Sequence, residues 1–230
     1  MPASDAPLST SAATRAIEDY LKAVYALARS GEAVPTGALA DHLGVSPASA
    51  TGMVKKLAAL NLVAHEPYTG VRLTESGRRI AVETIRHHRL VETYLHQALG
   101  VPWDRLHAEA EAWEHVLSED LEARMDAALG HPTRDPHGAP IPTPDLVLDE
   151  PTLAPLASLA AGAEAVVAAV SDDDAARLRA VGAAGLYPGT PFRVDAAGAA
   201  GVTVTPLAGD ATGTPATLSP DTAQNIFIDP

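Results

Sequence analysis

No cysteine occurs in the 230 residues. Its absence excludes disulfides, thiolate nucleophiles and every metal centre with cysteine ligands, and it accords with a reducing, cytoplasmic setting. Long hydrophobic runs are missing too: no stretch reaches the roughly 18 apolar residues of a membrane-spanning helix. The first residues, MPASDAPLSTSAAT, lack a basic segment followed by an apolar one, so they read as a disordered start and not as a signal peptide. Lysine is scarce. The three lysines are Lys22, Lys55 and Lys56, and with 13 arginines they face 29 acidic residues, a net charge of −13. Taken alone, that balance argues against a nucleic-acid partner. The average conceals a division. Residues 1–89 carry 10 basic and 8 acidic side chains, and residues 90–230 the other 6 and 21. Two regions with different electrostatic partners are implied.

What is present describes a soluble globular chain. It is 47% hydrophobic and 20% charged, and its length suits one large domain or two small ones. Residues 13–29 read as a helix with one apolar stripe of Ile17, Tyr20, Leu21, Val24 and Leu27. Asp19 falls on the far side of that stripe. Thr36 is expected to cap a short helix over 37–43. Ser46 is expected to cap a second helix with Pro47 at its first position, where a missing N–H costs nothing. Met53, Val54, Leu57 and Leu60 follow at helical spacing. Two short helices joined by a tight Gly44-Val45 turn form a helix–turn–helix. Strands over 62–65 and 71–74, joined by a turn at Pro67-Tyr68-Thr69-Gly70, add a hairpin and make it a winged helix. Thr74 caps a long helix ending at Leu99-Gly100. Pro102 opens another, expected to run to about Leu129. Residues 131–155 are crowded with Pro and Gly and read as linker. Beyond 160, β-like stretches at 165–170, 191–194, 201–205 and 226–228, interrupted by one helix, indicate a small β-barrel domain. The fold class is mainly α with a small β part.

The densest chemistry lies at 107–115. Glu111, Glu114 and His115 stand at i, i+3 and i+4, on one helical face. His88 and Glu92 are at i, i+4 on the preceding helix, and His107 could meet them across a helix pair. Glutamates at helical spacing are often only a solvated face. Two His/Glu pairs on neighbouring helices instead suit a divalent cation. Oxygen and imidazole donors without sulfur favour Mn(II) or Fe(II). In the helix–turn–helix, Thr36, Ser46, Ser49, Thr51, Lys55, Lys56 and the wing's Arg72 are residue types that reach phosphates. No Arg, Asn or Gln lies within 46–57, so direct base reading is thin, and contacts of Pro47 and Ala48 to DNA shape or thymine methyls carry more weight. Two other classes stay open: a carboxylate-bridged metalloenzyme, and a winged-helix interaction module indifferent to metal.

IEDYLKAVY (17–25), the 36–57 helix–turn–helix, LTESGRR (73–79), HHRLVETYL (87–95), HAEAEAWEHVLSED (107–120) and GHPTRDPHGAPIP (130–142) together resemble the diphtheria toxin repressor family of metal-dependent transcriptional repressors. The resemblance implies a winged helix–turn–helix domain at 1–80, a helical metal-binding and dimerisation domain at 81–145, a linker at 146–160 and an SH3-like domain at 161–230. It implies a primary metal site at Asp19, Glu111, Glu114 and His115, and an ancillary site at His88, Glu92 and His107. Iron-sensing members have Met and Cys where this chain has Asp19 and Glu111, and the manganese-sensing branch has the residues found here. Lys22 departs from a Glu that some short manganese regulators carry. The third domain can lend a ligand, for which Asp172, Asp173 and Asp174 are candidates, although that run also reads as a helix cap with solvated acids. The implied protein is a non-enzymatic homodimer, activated by Mn(II) or alternatively Fe(II). It would bind a palindromic double-stranded DNA operator and repress metal-uptake genes, with no membrane partner and no small-molecule substrate.

Overall fold

A computed structural model of the chain describes residues 10–28, 32–66 and 69–229. The expected disordered start and the Pro67-Tyr68 half of the hairpin turn lie outside these residues. The chain divides into two compact units, residues 1–87 with 144–147 and residues 88–143 with 148–230.

The first unit holds α1 (Thr10–Leu27), α2 (Thr36–His42), α3 (Pro47–Ala59), β1 (Val63–Glu66), β2 (Gly70–Leu73) and the first half of α4 (Glu75–Leu99). Tyr20, Leu21, Ala23 and Val24 of α1 are buried with Leu39, Val54, Leu57, Val63 and Val71. The stripe on α1 is therefore one residue wider than expected in its middle, and Leu27 at its end is partly exposed. Ser46 caps α3 by accepting from Ser49 N–H, with Pro47 in the first turn. Thr36 does not cap α2: Pro35 holds the cap position without a side-chain bond, and Thr36 is already helical. Pro35 is extended, with φ −60° and ψ 136°, and the helix begins at the next residue. The wing is an antiparallel pair in register Val63 with Leu73, and Val34 adds an isolated bridge to Val71. Thr74 accepts from Gly77 N–H. At Gly77 a Cβ would stand 2.0 Å from the Leu62 carbonyl oxygen, so only glycine lets α4 lie this close to the chain entering the wing.

The second unit holds the rest of α4, a 3-10 turn at Trp103–Arg105, α5 (Leu106–Trp113), α6 (Glu119–Ala128) and the β part. The expected continuous helix from Pro102 to Leu129 is a correction. It breaks after Trp113, and Ser118 caps a new helix by accepting from Leu121 N–H. Glu119, Asp120 and Glu122 in the first turn favour that N-terminus through the helix dipole.

Six antiparallel strands form one sheet in the order β3-β8-β4-β5-β6-β7: β3 (Ala154–Pro155), β4 (Glu164–Val170), β5 (Pro191–Gly198), β6 (Gly201–Pro206), β7 (Ala216–Leu218) and β8 (Ile226–Ile228). Register shifts at Val167/Ala169 and Val194/Ala196 bend it. α7 (Ala175–Ala183) and α8 (Pro220–Gln224) complete it. Ala154 and Pro155 already pair with β8, and Leu156 is fully buried, so residues 146–160 are not linker throughout. A proline-bearing segment is acceptable at this sheet edge, where no ladder N–H is needed. The helices and the sheet share one core that runs from Leu90 through Trp103, Leu106 and Leu156 to Phe192 and Ile226.

Residues 131–143 are also not a linker. Arg134 and Pro140 form a bridge, Asp135 accepts from the N–H groups of His137 and Ala139, and His137 is 1% exposed. Gly138 has φ +90°, and a Cβ there would meet the Ala168 carbonyl oxygen at 2.2 Å. The loop therefore rests directly on β4.

Candidate metal centre and nucleic-acid interface

α4 carries His88 and Glu92 one turn apart on its buried face, and both are nearly inaccessible. α5 brings His107, and the loop from β4 to α7 brings Asp172. The four residues offer ligand atoms mutually within 4.8 Å. His88 Nε2 faces Glu92 Oε1 at 3.4 Å, His107 Nδ1 faces Asp172 Oδ2 at 3.4 Å, and the two imidazoles meet edge to face with centroids 4.9 Å apart. The ancillary set expected from α4 and α5 is thus brought together, with Asp172 joining it. Asp173 instead pairs with Arg177, and Asp174 caps α7 by accepting from Ala176 and Arg177 N–H. Asp174 as a ligand is therefore corrected: its oxygens are not among the ligand atoms gathered at His107, and it serves as the cap of α7, where a carboxylate is favoured.

Glu111 lies within α5, Glu114 is the residue that caps its C-terminus, and His115 lies in the turn beyond the helix. Glu114 is buried and hydrogen-bonds His88 Nδ1, and Glu111 Oε1 stands 3.9 Å from both His88 Nδ1 and His107 Nε2. One imidazole thus joins the two expected ligand sets: Glu114 holds the His88 ring so that its other nitrogen faces Glu92. Asp19 lies half-buried on α1 in the first unit.

Electrostatics follow from burial against partners. Burial alone would raise the Glu92 and Asp172 carboxyls, but His137 and His88 around the first, and His107 beside the second, outweigh it and hold both below the usual carboxylate range. Burial alone would lower His107, and Asp172 raises it instead. These donors are oxygen and imidazole, which fits a hard or borderline divalent cation. Several of their buried atoms have no hydrogen-bond partner, including both Glu92 oxygens and His107 Nδ1. Orphaned donors converging from three elements are what a ligand shell looks like without its ion.

Two further residues escaped the reading of the sequence. Asp135 and His137 form a second buried group with Glu92. Their signal was DPHG inside a Pro/Gly-rich stretch, which composition alone labels a loop.

Around α3, Ser46, Pro47, Ser49, Lys55 and Lys56 are exposed on one unit, as is Arg72 on the wing. Thr36 and Thr51 are half-buried, and Thr51 donates to the Pro47 carbonyl, which ties its hydroxyl to the helix. Hydroxyls and cations exposed together on one helix are residue types able to reach phosphates.

Residues 12–71 match the family description "Iron dependent repressor, N-terminal DNA binding domain", residues 74–143 "Iron dependent repressor, metal binding and dimerisation domain", and residues 154–230 "FeoA domain". The chain is 35% identical over 157 residues to the iron-dependent repressor IdeR of Mycobacterium tuberculosis, covering 65% of this chain and 68% of the relative. It resembles a manganese-dependent transcriptional repressor solved in complex with manganese, at 39% identity and TM-score 0.84, over 93% of this chain and 99% of that one. It also resembles ScaR solved with bound Zn2+, at 29% identity and TM-score 0.76, over 93% and 98%.

Proposed function

Because the chain belongs to the diphtheria toxin repressor family of metal-dependent DNA-binding transcriptional repressors, we propose that it is a homodimeric, cytoplasmic repressor activated by Mn(II), controlling manganese-uptake genes. It is not an enzyme. The observation that carries the choice of metal is the donor set. Positions that are Met and Cys in iron-sensing members are Asp19 and Glu111 here, and the chain has no cysteine anywhere. Replacing soft donors by carboxylates moves preference toward the harder ion. The relative solved with manganese supports this reading. IdeR, named for iron, supports Fe(II) as the second reading.

Asp19, Glu111, Glu114 and His115 would hold one ion, and His88, Glu92, His107 and Asp172 another. A bound ion would supply positive charge that offsets the clustered carboxylates, which these residues would hold from several elements at once. Asp19 would be the ligand supplied by the DNA-binding part, which would couple metal occupancy to the recognition helix. Half-sites of a palindromic operator lie about one helical turn, or a multiple of it, apart, so a dimer must hold two such helices at matching spacing. Trp113, Val116 and Leu121 are exposed where α5 turns into α6, and an apolar corner of this kind suits the dimer contact. Linkage is reciprocal: DNA tightens metal binding by the factor by which metal tightens DNA binding.

The test compares operator binding of metal-free protein with protein given Mn(II), Fe(II) or Zn(II) in turn. Tight binding with Mn(II) at the lowest metal concentration is expected. Equal binding without metal overturns metal activation, and a clear preference for Fe(II) overturns the choice of ion.

A further inference from the structure

We propose that Gly52 is a specificity-determining residue for the operator: it leaves the outermost point of α3 bare, so that the helix backbone seats directly against base edges in the major groove. The proposal rests on operator binding, which membership of the repressor family establishes, and adds the position that discriminates one sequence from another.

A glycine inside a helix needs a reason, because it costs stability relative to alanine. Among the described residues, four glycines lie in helices: Gly37, Gly52, Gly77 and Gly182. Two are explained by their surroundings. A Cβ at Gly77 would overlap the Leu62 carbonyl oxygen, and one at Gly182 would press on the Trp103 indole and the Tyr187 hydroxyl, each at 3.0 Å. Gly37 stands in the first turn of α2, outside the helix interior to which the cost applies. None of these reasons holds for Gly52. It lies in the middle of the 13-residue α3, it is exposed, and a Cβ built there would meet nothing within 4 Å. The folded chain would be served better by alanine. A bare backbone at that point answers to something outside the chain, and close approach to a ligand is the standing use of glycine.

Its position on the helix says what approaches. Ala50, Val54 and Leu57 are fully buried and mark the inner face of α3. At about 100° per residue, Gly52 falls roughly 170° from the centre of that face, nearly opposite it. One turn on, Lys55 falls roughly 60° to one side of Gly52 and Lys56 roughly 40° to the other. Both lysines are exposed. Ala48, one turn earlier, adds only a methyl and does not hold the helix off. α3 therefore presents a bare crest flanked by two cations. A helix with its side chains is about 10–12 Å across and the major groove about 12 Å wide, so the residue at the crest sets how deep the helix seats. Flanking lysines then reach phosphates, which position the helix without reading sequence. No Arg, Asn or Gln lies within 46–57 to make bidentate bonds to bases. Discrimination falls to how closely the crest fits the edges beneath it.

The experiment uses the full-length chain loaded with Mn(II). Wild type selects its operator from a pool of random-sequence duplexes. The selected duplex and an unrelated duplex of equal length are then titrated with wild type, Gly52→Ala and Gly52→Gln. Gly52→Ala is expected to raise the urea midpoint of the metal-free chain, since nothing opposes the added methyl. It is expected to weaken operator binding by about tenfold while leaving affinity for the unrelated duplex within about twofold. Mn(II) uptake without DNA should equal that of wild type, which separates a lost contact from a disturbed metal unit. Gly52→Gln puts a hydrogen-bonding side chain on the crest. Selection repeated with it should change the preferred base at one position in each half-site and leave the others as in wild type. Operator binding by Gly52→Ala as tight as wild type, an equal loss on both duplexes, or an unchanged selection by Gly52→Gln overturns the proposal and leaves the repressor reading standing. If wild type selects no sequence with Mn(II), Mn(II)-activated repression falls with it.

Discussion

Gly77 and Asp19 are single positions whose substitution separates folding from function. At Gly77 the Leu62 carbonyl oxygen occupies the space a Cβ would need, and that oxygen is backbone held by the Thr74 N–H. Gly77→Ala improves helix propensity by at most about 1 kcal/mol. The overlap costs more, so a net loss of about 2–3 kcal/mol is expected. Urea unfolding measures it, and a neutral or stabilising result would show that the helix can shift away. Asp19 poses the opposite case. It is half-buried on α1, and its proposed work is ligation. Asp19→Ala is expected to abolish Mn(II)-dependent operator binding while leaving the melting temperature of metal-free protein within a few degrees. A variant that still needs Mn(II) to bind its operator removes Asp19 from the site.

α3 presents hydroxyls and two lysines, so its affinity for DNA should come mainly through phosphates. Lys55→Ala and Lys56→Ala are each expected to weaken binding to all sequences alike and to reduce the salt slope of log K by about 1. A change confined to one operator base would instead mark base reading. This helix could be read from the chain because its signals are local: Ser46 accepts from Ser49 N–H, Pro47 starts the first turn, and Val54 and Leu57 are buried at the expected spacing. The His88–Glu92 pair was legible for the same reason, since i, i+4 on a helix fixes a shared face. The break between α5 and α6 was misread because alanine and glutamate continue a helical pattern straight through Glu114. Only Ser118 followed by acids announces the second start. Asp135 and His137 were legible only as DPHG within a loop-like stretch. What buries them is long-range: the Trp103 carbonyl 34 residues away and the surface of β4. The same holds for Asp172, which became distinct from Asp173 and Asp174 only once α7 used Asp174 as its cap.

Charge across the whole chain is −13, yet the residues before 90 balance near neutrality and the acidic excess falls in the metal-binding and β regions. The net figure therefore bears on cations more than on DNA, and protons compete for the same groups. Burial together with Glu92 raises Asp135 from its ordinary 3.8 to about 7. Glu92 outweighs the burial of His137 and lifts it from 6.5 to about 9, and Asp172 raises His107. Each of these groups binds its proton more tightly in the folded chain than in the unfolded one. The stability each contributes is complete below its unfolded value and is lost as pH rises through its folded value. For Asp135 that loss spans 3.8 to about 7, and for His137 it spans 6.5 to about 9. Glu92 and Asp172 are shifted downward, so their contributions are lost only in acid, outside this window. Chelator-treated protein is therefore expected to melt at progressively lower temperature between about pH 6 and pH 9. A divalent cation needs the same groups deprotonated, so its affinity grows over that interval, and an ion at 100 times its Kd adds about 2.7 kcal/mol to the folded state. Melting curves across the interval, with chelator and with Mn(II), should show a steep fall in the first series and a much smaller one in the second. Parallel falls in both would mean that protons and metal occupy different residues, and that the buried cluster is an ion-pair network after all.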